Sequence, residues 1–494
     1  MGDSITAGYK MTALSVVYAV EERGYAFTTG GLGNWKNVTT IANLLREFNP
    51  DLIGISTGSG DYKSQAAGFN VAVRGAVDED MLVQAKYLKK KMMDNPDIDY
   101  EKHWKNQSTN EITYPPDVEY IKTLQDKLPL STPHPCEINP DKPLWRSETR
   151  PTSVHKLRPG DIDVIAAFGD SIVSANGARE NNALGIFIED RGVSFLGGGQ
   201  GTWHEFTTLP NIIKVFNPHL TGFATGRGLL SLSSSGELNL AGPGTRDGDL
   251  IIMAKEFVKK LRTERTYDFN NDWKMLSILT GHNNICTFEC HDKELHSPEA
   301  HKKNLQKALD YLYDNVPRLF INIIPIIDPT INPRTTSGVV CSIIRRLGCR
   351  CLFTESTVEE GVLKLSSIVR QYQEAEKDLV FGGLYDGRDD FTVEWQPFFR
   401  ALNAPQRIGE PEDPRMLELL EKEASIWTMD CFHFNQRGHM TMAIQMWNNM
   451  LEPVGNKTET FDRFLINKYK CPTKEHPYLF TKKNSETFFS EEHQ

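Results

Sequence analysis

The sequence has no run of 18 uninterrupted apolar residues, so no segment reads as a membrane-spanning helix. It has no Lys/Arg block longer than a few residues, and 55 basic against 65 acidic side chains leave a formal net charge of −10. Both features exclude a partner held on a broad basic surface, nucleic acid foremost. Zinc knuckles are lacking: the cysteines are spaced C-x3-C and C-x7-C-x-C rather than C-x2-C, and no metal or cofactor is expected. Met1-Gly2-Asp3-Ser4 has neither a basic n-region nor an apolar h-region, so a secretory leader is not found at this end. What is present is ordinary globular material. Hydrophobic residues make up 39% and charged ones 24%, enough for a buried core and unlike a disordered or collagen-like chain.

The eight cysteines, Cys136, Cys286, Cys290, Cys341, Cys349, Cys351, Cys431 and Cys471, are even in number and suit disulfides. Sequons at Asn37, Asn106 and Asn456 are compatible with a glycosylated, secreted or cell-surface chain. Together with the missing leader, this creates the expectation that the native chain extends beyond this sequence. Cys286 and Cys290 are expected to be bonded.

An internal repeat organises the chain. Phe27–Gly60 and Phe195–Gly228 align without a gap and are identical at 16 of 34 positions. Shared residues include Gly30/Gly198, Gly31/Gly199, Trp35/Trp203, Asn43/Asn211 and the triplets Phe48-Asn49-Pro50 and Phe216-Asn217-Pro218. Gly2-Asp3-Ser4 is repeated as Gly169-Asp170-Ser171, and Trp104-Lys105 as Trp273-Lys274, after which the likeness stops. This is a duplication with one short copy. The expected organisation is a truncated first copy at 1–105, a Pro-rich extended linker at 106–154, a complete second copy at 155–455 and a polar tail at 456–494.

The second copy alternates buried apolar runs with segments of helical spacing. Asp163–Phe168, Lys274–Leu279 and Arg318–Pro325 read as parallel strands, and Leu250–Leu261, Glu299–Asn315 and Val358–Glu376 as helices. That alternation predicts an α/β fold, a three-layer doubly wound parallel sheet. Ligands in such sheets bind beyond the carboxyl ends of the strands. Ser171 follows the first strand, at a turn that Gly169 permits, and Ile172 onward is expected to start a helix.

Taken alone, Gly-Asp-Ser is more often a helix cap than a nucleophile. A serine nucleophile needs a base, and the base an orienting carboxylate. Asp430-Cys431-Phe432-His433 supplies both at a spacing that lets the carboxylate fold back onto the imidazole. Donors for an oxyanion are also required. Gly198-Gly199 offers a backbone amide and Asn283, in Gly281-His282-Asn283-Asn284, a side-chain amide.

These four blocks, in this order, resemble the GDSL (SGNH) hydrolases. Thr207-Thr208-Leu209-Pro210-Asn211-Ile212, Asp430-Cys431-Phe432-His433-Phe434 and Trp447-Asn448-Asn449-Met450-Leu451-Glu452-Pro453 look like the phospholipase B branch of that family. The resemblance covers 155–455 fully and 1–105 as a truncated copy. It implies a secreted or cell-surface tandem-repeat lipase hydrolysing acyl esters of phospholipids and lysophospholipids at a membrane or micelle surface. Ser171 would be the nucleophile, His433 the base, Asp430 the orienting acid, and Gly199 and Asn283 oxyanion donors. Two residues depart from the pattern. Asn284 stands where the family usually has Asp, and His282 adds bulk beside Asn283. An esterase for small or carbohydrate esters and a lipid-binding pseudoenzyme are the alternatives. The first copy keeps Ser4 and Gly31 but has no counterpart of Asn283, Asp430 or His433, so it is expected to be inactive.

Overall fold

The structure, a computed structural model, describes residues 6–8, 21–73, 76, 80–98, 128, 131–137, 145–180, 187–229, 236–331, 334, 339–407, 426–428, 430–459 and 469–492. The chain divides into two compact units, Met1–Glu119 and Tyr120–Gln494. In the first, the described residues carry helices at Ile41–Leu45 and Met81–Met93. Ser4 and Trp104 lie outside the described residues.

The duplication is repeated at the level of individual hydrogen bonds. Thr40 caps the Ile41–Leu45 helix by accepting from Asn43 N–H, as Thr208 caps Leu209–Phe216 by accepting from Asn211 N–H. The Asn43 side chain donates to the Leu32 and Val38 carbonyls, and that of Asn211 to those of Gln200 and Phe206. Buried Arg23 pairs with Glu21 at 2.7 Å, and Arg191 with Glu189 at 2.7 Å.

The second unit is built on a parallel sheet of β1 (Val164–Gly169), β4 (Lys274–Leu279), β5 (Leu319–Ile323) and β6 (Phe391–Trp395), in that spatial order. A two-stranded ribbon of β2 (Ile188–Glu189) and β3 (Gly228–Leu229) lies apart from it. Outside β1, an isolated parallel bridge at Asn239 opposite Ala167 adds an edge. Counting that edge, the spatial order runs from the Asn239 edge through β1 to β4, β5 and β6, and the chain order reverses between β1 and β4, the usual ligand crevice.

Both faces of the sheet are buried, which explains the nearly continuous apolar runs. Val164, Ala166, Phe168, Leu276, Ile278, Leu319, Ile321 and Phe391 pack under helices Leu250–Thr263, Pro298–Asn315 and Val358–Phe381. Ile165, Ala167, Met275, Leu279 and Phe320 face helices Leu209–Phe216 and Gln436–Met450. β6 went unread in the sequence because Thr392 and Glu394 interrupt its apolar residues; both are nonetheless buried.

Two stretches differ from their expected roles. The stretch expected to be a linker contributes Cys136 and Trp145 to the core of the second unit, and Cys136 is bonded to Cys471 across 335 residues. The expected polar tail buries Leu479 and Phe480, whose amides donate to Leu157 and Met450 carbonyls at 2.8 and 2.9 Å. A long-range disulfide makes both segments part of the fold.

Candidate active site

β1 ends at Gly169, and no larger residue fits there. A Cβ would lie 2.3 Å from the Leu279 carbonyl of β4 and 2.5 Å from Val173 Cγ2. Residues 171–175 form turns rather than the expected helix. Asp170 causes this, since its carboxylate accepts the Ile172 amide at 3.0 Å and its carbonyl accepts those of Val173 and Ser174. The turn leaves the Ser171 side chain half-buried at the carboxyl end of the sheet.

Ser171, Asp430 and His433 come together there. Ser171 Oγ lies 2.8 Å from His433 Nε2, and His433 Nδ1 lies 2.5 Å from Asp430 Oδ2. The other Asp430 oxygen accepts the Phe432 and His433 amides at 2.8 and 2.9 Å, together with the Thr428 hydroxyl. Burial alone would push this carboxyl up. The facing imidazole and the hydrogen bonds from His433 and Thr428 outweigh it and hold the group at about 2. An ionised Asp430 fixes Nδ1 as the protonated ring nitrogen and leaves Nε2 to accept from Ser171.

Gly199 is not free for an oxyanion. Its N–H donates to the Ala224 carbonyl at 2.8 Å, as the N–H of Gly31 does to Ser56 at 2.7 Å in the first unit. The glycine run there serves packing instead: a Cβ on Gly199 would lie 2.2 Å from the Phe223 ring. The loop that borders the Ser171 turn is Gly242–Thr245. Gly242 N–H and the Thr245 hydroxyl donate to the Gly169 carbonyl at 3.1 and 2.8 Å. Asn283 Nδ2 donates to the Thr245 carbonyl at 2.8 Å, which leaves its second amide hydrogen for a ligand. Gly244 is exposed with φ +76°, and among the described residues neither its N–H nor that of Ser171 has an acceptor. The sequence held a signal for this loop: Asn239, Ala241 and Gly244 repeat Asn70, Ala72 and Gly75 at a constant offset.

The His282 ring is tied to partners other than Asn283. Its Nε2 accepts the Ile327 amide at 3.0 Å, so Nδ1 carries the proton and donates to Asp170 at 2.8 Å. Asn284 is buried, accepts the Asp247 amide at 3.2 Å and donates to His296 Nδ1 at 3.0 Å. Beneath it, His301 is held between Asp247 at 2.9 Å and Glu376 at 3.0 Å. Burial opposes its charge, but the two carboxylates win and raise it to about 9.

A family model for the GDSL-like lipases/acylhydrolases matches residues 1–114 and 165–446. The chain belongs to the GDSL lipase/acylhydrolase family. The two matched stretches follow the two copies, and the Ser171 turn of this GDSL chain lies at the start of the second. Among curated proteins it is similar to membrane-associated phospholipase B1 of Rattus norvegicus, 39% identical over 342 residues covering 68% of this chain. The Mus musculus and Homo sapiens proteins of the same name are 38% and 35% identical over 340 and 348 residues. The chain spans 22–23% of the length of these relatives.

Proposed function

We propose that the second unit is a serine esterase that hydrolyses acyl esters of phospholipids and lysophospholipids. The continuous Ser171–His433–Asp430 hydrogen-bonded relay carries this reading. Ser171 Oγ attacks the ester carbonyl carbon while His433 Nε2 takes its proton, and Asp430 stabilises the resulting imidazolium. The carbonyl oxygen becomes an oxyanion, received by the amides of Ser171 and Gly244 and by Asn283 Nδ2. Collapse expels the glycerol-side alkoxide, which His433 protonates. Water, deprotonated by the same nitrogen, then frees the fatty acid and restores Ser171.

Phospholipid esters are favoured over other esters by the phospholipase B1 relatives, which are named as membrane-associated. Four disulfides support a secreted or cell-surface setting. Among the described residues no helix is long and apolar enough to cross a membrane. The pseudoenzyme alternative rested on Asn284 and the degraded first copy, yet the partners of Asn284 are Asp247 and His296, while His433 in the second copy already has a carboxylate. The first copy is proposed to be inactive because it has no counterpart of His433, Asp430 or Asn283. Release of fatty acid from lysophosphatidylcholine, abolished by Ser171→Ala and unaffected by Ser4→Ala, is the test. Activity in the Ser171→Ala chain would overturn the reading.

A further inference from the structure

The acid–base pair sits at the tip of a short hairpin. Trp427 and Phe434 form an antiparallel bridge, Thr428 N–H donates to the His433 carbonyl at 2.8 Å, and Cys431 N–H to that of Thr428 at 3.0 Å. The corner residue is Cys431, buried and held at φ +59°, a left-handed conformation that side chains other than glycine rarely adopt. That corner turns the next two amides back onto Asp430 Oδ1, which leaves Oδ2 facing the His433 ring. Cys431 is bonded to Cys341, in the Val339–Gly348 helix. The far end of the same segment is bonded twice to the stretch following Asn283, through Cys286–Cys349 and Cys290–Cys351. Phe432 packs on the apolar cluster that contains those cysteines. One segment, 341–351, is therefore fastened both to the loop carrying Asp430 and His433 and to the loop carrying Asn283.

We infer that the Cys341–Cys431 disulfide is a positioning device for catalysis, holding residue 431 in the left-handed corner that aims Asp430 at His433. The inference rests on the active-site reading above. Without the bond, an ordinary L-residue at 431 relaxes out of the left-handed region and carries the Asp430 carboxylate away from the ring. A glycine there does not, because it has no Cβ to penalise that conformation. The disulfide thus fixes a backbone conformation, which separates this role from general stapling of the fold.

The test compares wild type, Ser171→Ala, Cys341→Ala, Cys431→Ala and Cys431→Gly chains. Folding is checked by circular dichroism, and kcat and KM are measured on lysophosphatidylcholine micelles. Cys341→Ala and Cys431→Ala are expected to lose roughly tenfold or more in kcat with KM nearly unchanged. Cys431→Gly lacks the disulfide equally and is expected to recover most of that loss. Wild-type kcat in the folded alanine variants, or equal losses in Cys431→Ala and Cys431→Gly, overturns the inference. If the alanine variants do not fold, Cys341→Ala combined with Cys431→Gly carries the comparison, and its failure to fold also counts against a positioning role. An inert wild type, or an active Ser171→Ala chain, instead overturns the active-site reading.

Discussion

Asn284→Asp restores the residue usual at this position of the GDSL pattern, and the structure limits what it can do. One side-chain oxygen would still accept the Asp247 amide, now at 3.2 Å. The other would replace Nδ2 opposite His296 Nδ1, at 3.0 Å. An acceptor there meets the ring only if His296 moves its proton to Nδ1 or takes a second one. Asn284 is fully buried and its side chain bonds that of Asp247, so the new carboxylate loses its hydration and faces the Asp247 carboxylate. A buried group left partly unsatisfied costs about 1–3 kcal/mol, and a fall in Tm of a few degrees is expected. Neither partner of residue 284 belongs to the Ser171–His433–Asp430 relay, so kcat on lysophosphatidylcholine should change several-fold at most. The assay is initial-rate kinetics of fatty-acid release at pH 7, with thermal unfolding in parallel. A hundredfold rise in kcat would refute the assignment of Asp430 as the orienting acid and make the wild-type chain a weakened enzyme.

Asp430→Asn keeps the size of the side chain but favours the wrong imidazole tautomer, and kcat should fall by roughly 10³–10⁴ in the same assay. Asn283→Ala removes one of the proposed oxyanion donors and should lower kcat by about 10²–10³. Because folding depresses the Asp430 carboxyl from 3.8 to about 2, its contribution is present above pH 4 and lost as pH falls through 2. That contribution is on the order of 2 kcal/mol, and chemical unfolding of wild type against Asp430→Asn should show the difference shrink across that window. Non-reducing peptide mapping should recover the pairs Cys136–Cys471, Cys286–Cys349, Cys290–Cys351 and Cys341–Cys431.

Much of the sheet was legible because strands buried on both faces write themselves as apolar runs. The Asp163–Phe168 and Lys274–Leu279 runs are β1 and β4 within one residue. β6 was not legible, since Thr392 donates to Glu394 within the strand and Glu394 accepts the Lys482 amide, pairings that appear only in the folded chain. The residues that converge, Ser171, Asp430 and His433, were readable from ordered short blocks, although 262 residues separate Ser171 from His433. The Gly199 assignment failed for a physical reason. A glycine run marks close approach of either kind, to a ligand or to a neighbouring segment, and here the neighbours are the Phe223 ring and the Ala224 carbonyl. The Gly242–Thr245 loop was hidden because its glycines look like any turn until their bonds to Gly169 and Asn283 are seen. No local pattern announces that residues 136 and 471 meet.

The central claim is that Ser171 is a nucleophile activated by His433. The most direct measurement is labelling by a fluorophosphonate, with the modified residue located by peptide mass spectrometry and the rate compared with that of His433→Ala. A single adduct on Ser171 is expected, absent from Ser171→Ala and formed at least a hundredfold more slowly in His433→Ala. An unmodified Ser171 in folded protein, or labelling that does not depend on His433, would contradict the account.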